Sequence, residues 1–169
     1  MTLGYVARAG QEQQIGWIAG SIHRITLDAA ATEGRLTAFR STMRGGAASP
    51  VHVHDREDET VFVLSGTGIF WAGDQRWELK SGDTAFLPRG LPHTYVFTSD
   101  EADLLTVCNP AGMEDLFRAA GWDLAEPKPE DWAVDFEVLA AAGKAAGQTV
   151  LGPPLAHNAP MPTAYLNLS

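Results

Sequence analysis

Three histidines and one glutamate stand at spacings that could assemble a metal site. His52 and His54 are separated by one residue, so both side chains point to the same face of a strand. Glu59 follows a run of four charged residues, and a turn there would bring it back beside the two histidines. His93 comes later, at the head of another strand. Neutral imidazoles and a carboxylate are ligands that suit a divalent transition metal, with iron, nickel, manganese, cobalt, copper and zinc all compatible.

The same residues have a simpler interpretation as ordinary polar side chains. Alternating histidines are common on surface strands, so a bare His-x-His pair does not by itself indicate a metal. The spacing to the other two residues has to decide between the two interpretations.

The elements that must position these residues are short strands. From Gly16 to about Val107, runs rich in Val, Ile, Phe, Thr and Trp alternate with Gly, Pro, Ser and Asp. Turn signals about ten residues apart predict an all-β fold, either an antiparallel sandwich or a barrel. The predicted strands include residues 35–43, 60–64, 67–71, 76–79, 84–87 and 94–98.

The pattern changes after Val107. Four apolar residues at helical spacing predict a short amphipathic helix that ends at Gly121; they are Met113, Leu116, Phe117 and Ala120. A second, Ala-rich helix is predicted over residues 135–146. The Pro-rich stretches 152–154 and 158–162 predict an irregular tail that is either disordered or lies across a neighbouring subunit.

Length and composition narrow the class of protein. With about 150 residues per domain, 169 residues indicate one domain. We expect N-terminal strands over 1–33, a barrel core over 34–107, and C-terminal helices and a tail over 108–169. The 12 Lys and Arg against 21 Asp and Glu give a net charge of −9 without a basic cluster, so nucleic acid is not an expected partner.

The location of the protein is predicted from what the sequence lacks. Cys108 is the single cysteine and cannot form an internal disulfide, so an oxidising compartment is not required. Residues 1–20 show no basic segment followed by an apolar run, and no stretch approaches 18 apolar residues. We therefore expect a cytoplasmic protein with no membrane partner, and the terminal arms suit swapped contacts in a homodimer.

The complete spacing resembles that of the cupins. The first cupin motif, G-x5-H-x-H-x4-E-x6-G, is matched by Gly46, His52, His54, Glu59 and Gly66. The second motif, G-x5-P-x-G-x2-H-x3-N, is matched by Gly82, Pro88, Gly90 and His93, whereas Phe97 replaces its final Asn. The resemblance implies a double-stranded β-helix, a jelly-roll-like barrel, with one divalent transition metal held by His52, His54, Glu59 and His93.

Strand periodicity then predicts what surrounds the metal. If His93 faces inward, Tyr95 and Phe97 do too, and Val61 and Val63 share the face of Glu59. These four side chains are the predicted substrate pocket, although Val61 and Val63 also suit plain core filling. The pocket is apolar and favours a flat aromatic substrate.

A finer resemblance extends over nearly the whole chain. The segments 86–93, 109–117 and 151–155 are similar to single-domain bacterial cupins related to quercetin 2,3-dioxygenase. The resemblance implies a dioxygenase that opens a flavonol or related aromatic enol with O2 and releases carbon monoxide. Glu59 would be both metal ligand and general base, the catalytic residue that takes the enol proton.

Other functions remain open at this point. A metal-bearing cupin can be a small-molecule binding or storage module, and the fold also supports isomerases and lyases. Sugar-phosphate isomerases need a basic pocket, which an acidic chain with an apolar barrel lining does not favour. His23 and His157 are expected to be structural or exposed rather than metal ligands.

Overall fold

The computed structural model describes residues 4–167, which form twelve strands and four short α-helices. The strands, in chain order, are β1 (Gln13–Gly16), β2 (Ile22–Leu27), β3 (Thr37–Arg44), β4 (Val51–His54), β5 (Asp58–Ser65), β6 (Thr67–Ala72), β7 (Gln75–Lys80), β8 (Thr84–Leu87), β9 (His93–Phe97), β10 (Glu101–Asn109), β11 (Trp122–Asp123) and β12 (Gln148–Gly152). The helices are α1 (Ala29–Thr32), α2 (Met113–Ala120), α3 (Phe136–Ala146) and α4 (Thr163–Leu166).

The strands form two antiparallel sheets. The larger has the order β11-β1-β2-β3-β10-β5-β8, and the smaller has the order β12-β4-β9-β6-β7. Alternate residues of each strand face inward, so Val63 and Leu104 of the larger sheet pack in one core with Phe70 and Phe97 of the smaller sheet. The prediction of an all-β fold with short C-terminal helices is confirmed.

The two longer helices close one end of the space between the sheets. Leu116 and Phe117 of α2 are buried together with Leu139 of α3, and they pack against Phe39 on the inner face of β3. The Asp135 side chain caps α3 by accepting hydrogen bonds from two backbone N–H groups of its first turn. Within residues 4–167, no helix has the length and hydropathy needed to span a membrane.

Gly66 shows why the first cupin-like motif ends in glycine. It lies in the turn between β5 and β6 with a φ of 83°, a backbone conformation that residues with a side chain rarely adopt. A Cβ atom at this position would lie 2.6 Å from the Cβ of Ala102 and from the backbone oxygen of Glu101. The turn therefore requires a residue without a side chain.

The C-terminal segment differs from both sequence-based alternatives, because it packs on its own barrel. Residues 148–152 form β12, which pairs with β4, although no strand was predicted there. Beyond it, Trp71 Nε1 donates a hydrogen bond of 2.9 Å to the backbone oxygen of Ala159. Met161 is buried against Val51 and Trp71 on the outer face of the smaller sheet. The segment packs there because the outer face of the smaller sheet is apolar. The sequence of the segment itself did not predict this contact.

Candidate metal centre

The four predicted metal ligands lie together between the two sheets. His52 and His54 project from β4 toward the interior, and His93, the first residue of β9, pairs with His52 across the smaller sheet. Glu59 reaches the same place from β5 of the larger sheet. One ligand atom from each residue lies within 4.8 Å of all the others. The cluster thus joins residues of both sheets.

Glu59 is the carboxylate at the centre of this cluster. Its Oε2 atom lies 3.5 Å from Nε2 of His93 and 3.8 Å from Nε2 of His54. Glu59 is 5% exposed and each of the three histidines is buried to a similar degree. A buried carboxylate surrounded by imidazole nitrogens is a costly arrangement unless a cation or protons balance its charge.

Backbone carbonyl groups fix the orientation of two imidazoles. Nδ1 of His52 lies 2.8 Å from the backbone oxygen of Pro50, and Nδ1 of His93 lies 2.9 Å from that of Leu91. A carbonyl oxygen can only accept, so Nδ1 carries the proton in both rings. Each Nε2 atom is then left with a lone pair, which is the form that ligates a metal.

Glu57 places its carboxylate beside the imidazole of His54, although Nδ1 of His54 makes no hydrogen bond within residues 4–167. Its Oε1 atom lies 3.3 Å from Nδ1 of His54 and 3.4 Å from Nε2 of Gln148. Glu57 belongs to the charged turn after His54, for which no role was predicted, yet it is 1% exposed. Its position three residues after His54 is the only signal that could have found it.

We expect the change Glu57→Gln to weaken metal binding about 10- to 100-fold, because carboxylates beside the second nitrogen of a ligating histidine have effects of that size. Competition with a chromogenic chelator would measure the affinity. Asp55→Asn is the matched control, since it removes a carboxylate from the same turn at an exposed position. Equal affinities of the Glu57 variant and the unmodified protein would contradict the assignment.

The unpartnered atoms test whether a metal ion fits this cluster. Among the described residues, Nε2 of His93 and both ring nitrogens of His54 are buried and have no hydrogen-bond partner, and the two Nε2 atoms face Glu59. Buried polar atoms are nearly always paired, so two such atoms facing one carboxylate are suited to a bound cation. Three imidazoles and one carboxylate are also a suitable donor set for a divalent transition metal. The residues present therefore fit the metal.

The electrostatics of the cluster favour the protonation states that a metal needs at Glu59 and His52, but they oppose the neutral form of His54. Burial opposes ionisation of Glu59, but the adjacent imidazoles, first that of His93, outweigh it and lower the pKa of this carboxyl from 4.5 to about 2. Burial, together with the other two histidines, holds the pKa of His52 well below 6.5. Burial has the same tendency at His54, but the carboxylates of Glu57 and Glu59 prevail and raise its pKa.

A mainly apolar cavity adjoins the cluster. It encloses about 80 Å³, and at about 10–15 Å³ for each water this is room for several water molecules or a compact ring. His52 and Glu59 line it on the metal side. The rest of its wall includes four aromatic side chains, which are Trp17, Phe39, Tyr95 and Phe117.

The four residues predicted for the substrate pocket fall into two groups, one in the cavity wall and one in the core. Val61 and Tyr95 line the cavity. Val63 and Phe97 are buried in the core beside Phe70. The cavity turns instead toward β2, β3, α2 and α3, so its wall includes several residues that strand periodicity near the ligands does not reveal.

His23 is one of these additional wall residues, and we expect it to make the protein less stable below pH 6.5. Burial lowers the pKa of His23 from 6.5 to about 3, with a smaller opposite effect from Glu59. As the pH falls below 6.5, the unfolded chain gains a proton that the folded chain does not, so the free energy of unfolding decreases down to about pH 3. At about 1.4 kcal/mol per pH unit, the loss between pH 6.5 and 5 is about 2 kcal/mol.

Urea denaturation at pH 7 and pH 5 would measure this loss. His52, whose pKa is also lowered, contributes a loss of its own, so the variant His23→Phe should lose about 2 kcal/mol less than the unmodified protein. His157→Phe, which changes an exposed histidine, should lose as much as the unmodified protein. An identical pH dependence in all three proteins would contradict the prediction.

Comparison with known proteins agrees with this geometry. Residues 39–108 match the family model described as the cupin domain. An uncharacterized protein from Aquifex aeolicus is 38% identical over 36% of this chain and 50% of its own length. Quercetin 2,3-dioxygenase from Bacillus subtilis is 34% identical over 50% of this chain and 26% of the enzyme. The chain thus spans no more than half the length of these curated relatives.

Solved structures show the same fold. KdgF from Halomonas sp. superposes with a TM-score of 0.58 at 18% identity, covering 64% of this chain and 94% of KdgF. The structure of a predicted oxalate decarboxylase from Thermotoga maritima superposes with a TM-score of 0.56 at 22% identity. The match covers 63% of this chain and 99% of that one. Fold, family match and motif spacing agree, and residues 39–108 of the chain match the cupin domain.

Proposed function

We propose that this protein is a metal-dependent dioxygenase that opens a compact aromatic enol with O2, in the manner of quercetin 2,3-dioxygenase. One observation carries the proposal: a buried set of three imidazoles and a carboxylate lies at the wall of an aromatic-lined cavity. His52 and Glu59 border the cavity itself, so a ring held there would present its oxygen atoms to the cluster. The similarity to quercetin 2,3-dioxygenases supports the same reaction class.

The residues that would hold the metal are His52, His54, Glu59 and His93. When bound, the ion would supply Lewis acidity, which lowers the pKa of an enol hydroxyl, and a place where the two reactants meet. Iron, nickel, manganese, cobalt, copper and zinc all suit this donor set.

Glu59 is the residue that we propose to accept the enol proton. Its low pKa keeps it ionised at neutral pH, so an oxygen is available as an acceptor. The same low pKa makes Glu59 a weak base, and it therefore requires an enol that is already acidified. The apolar wall binds the ring and excludes water from this transfer.

The cavity wall also bears on the alternative of a sugar-phosphate isomerase. Of the residues that the structure describes, no Lys or Arg lines the cavity. A phosphate group would enter this site without a cationic side chain to receive it, and transferring such a charge from water is costly. A neutral aromatic substrate agrees better with the wall.

Oxygen consumption by the metal-loaded protein tests the proposal. The protein would be loaded separately with iron, nickel, manganese, cobalt or copper and mixed with quercetin or with the one-ring enol kojic acid. Uptake of O2 with stoichiometric ring opening would support a dioxygenase. Binding without O2 uptake for every metal would contradict it and would identify the cavity as a small-molecule binding site.

A further inference from the structure

A pair of polar side chains lies in the cavity wall away from the metal ligands. His23 of β2 and Ser41 of β3 are each 2% exposed, and Nδ1 of His23 lies 2.7 Å from Oγ of Ser41. Both residues line the same cavity as His52 and Glu59. The proposed mechanism uses neither member of this pair.

Nε2 of His23 is the unexplained atom of the pair. It is buried, and among residues 4–167 it has no hydrogen-bond partner. Unlike the Nε2 atoms of the metal cluster, it does not belong to the group of ligand atoms that converge on Glu59. A buried ring nitrogen without a partner is destabilising, so a ligand that supplies the partner gains affinity.

Aromatic side chains hold the imidazole of His23 in place. Phe117 stacks on it with ring centroids 4.2 Å apart, and Trp17 and Phe39 meet it edge to face at 5.6 Å. Because these contacts fix the ring, the direction of Nε2 is set before a ligand arrives. A preorganised hydrogen-bonding group loses little entropy on binding.

Sheet register places the pair away from the metal ligands along the cavity. His23 pairs with Ser41, Ser41 with Leu104, and Leu104 with Val63. Val63 follows Glu59 by four residues on β5, and the two side chains point to the same face of the sheet. His23, which lies in register with Val63 across the sheet, is therefore displaced from Glu59 by four residues along the strand direction. A ligand bound at the cluster would therefore extend toward His23 with its opposite end.

We propose, on the basis of the proposed function, that Nε2 of His23 hydrogen-bonds a hydroxyl group on the end of the substrate remote from its enol. The chemistry of the pair favours a hydroxyl. If Ser41 donates to Nδ1, Nε2 carries a proton and donates; if Nδ1 donates to Ser41, Nε2 accepts. A hydroxyl can serve either form.

The charge state of His23 supports the same class of ligand. Burial keeps this imidazole neutral at physiological pH. A neutral ring gives a carboxylate or phosphate no opposite charge, whereas it pairs well with an uncharged hydroxyl. The inferred substrate is thus a compact aromatic enol with a second, distal hydroxyl.

Two ligands that differ only in the distal hydroxyl test this inference. Kojic acid and allomaltol share the same ring and enol, but kojic acid carries a hydroxymethyl group where allomaltol carries methyl. Calorimetric titration of the zinc-loaded protein without O2 should show kojic acid binding about tenfold more tightly, the gain from one well-placed hydrogen bond. In the double variant His23→Phe, Ser41→Ala the preference should fall to about one, with zinc content unchanged.

His157→Phe is the control and should keep the tenfold preference, because His157 is exposed on the C-terminal segment. A second measurement needs no variant: in ¹⁵N-histidine spectra of the unmodified protein, kojic acid should shift the Nε2 resonance of His23 and allomaltol should not. Equal affinities for the two ligands, a preference that survives in the double variant, or no binding of either would overturn the inference. Oxygen uptake is measured separately, so a protein that shows the preference without turnover would contradict only the proposed function.

Discussion

Replacement of His93 with alanine is expected to abolish stoichiometric metal binding. His93 contributes a buried Nε2 atom without a partner, and its Nδ1 is already committed to the backbone oxygen of Leu91. Removing this donor leaves two imidazoles and Glu59, and alanine offers no replacement ligand. We expect the metal affinity to fall by at least about 100-fold, more than for loss of the carboxylate that only lies beside a ligand. Elemental analysis after dialysis against a fixed free metal concentration measures the effect.

The exposed His157 supplies the control for this experiment, and His157→Ala should bind metal like the unmodified protein. Circular dichroism of the metal-free proteins should show that the His93 variant retains the β-sheet fold. Metal bound at one equivalent with undiminished affinity in a folded His93→Ala protein would show that His93 is not a ligand.

The change Glu59→Gln is expected to reduce turnover about 10²- to 10⁴-fold at saturating metal, the usual contribution of a positioned proton acceptor. Glutamine keeps the size of the side chain and an oxygen that can ligate, but it cannot take a proton. The three histidines should still hold the ion, with weaker affinity because a negative ligand is lost. Initial rates of O2 uptake at rising metal concentrations separate the effect on binding from the effect on turnover.

Glu57→Gln is the matched comparison for this variant. It makes the same chemical change at a carboxylate that contacts His54 from outside the cluster, so saturating metal should restore its turnover. If Glu59→Gln turned over at the unmodified rate once it was loaded with metal, the proposed role of Glu59 as proton acceptor would be wrong.

The helices show what short sequence patterns can predict. The spacing of the apolar residues predicted α2, and the structure buries Met113, Leu116, Phe117 and Ala120 as expected. The helix predicted over 135–146 is confirmed, with Asp135 as its cap. Both predictions succeed because helix periodicity and capping depend on residues only a few positions apart.

Side chains that owe their position to distant strands could not be predicted in this way. Glu57 contacts Gln148 across 91 residues, and β12, which carries Gln148, was not predicted. Val63 and Phe97 share inward faces with metal ligands, but the space next to them is filled by Phe70 from another strand. Periodicity predicts which face a residue shares, and it does not say whether that face meets a cavity or a neighbour.

The sequence by itself therefore determined the strand-rich fold, the two helices after it, and the set of residues from which a metal site is built. These depend on alternation, on spacing within motifs, and on the chemistry of imidazole and carboxylate groups. Only the tertiary structure decided where the cavity runs, that Glu57 lies beside His54, and that His23 lies in the cavity wall. The physical reason is that burial and cavity shape arise where separate strands and helices meet, and no local pattern records which side chains will fill that space.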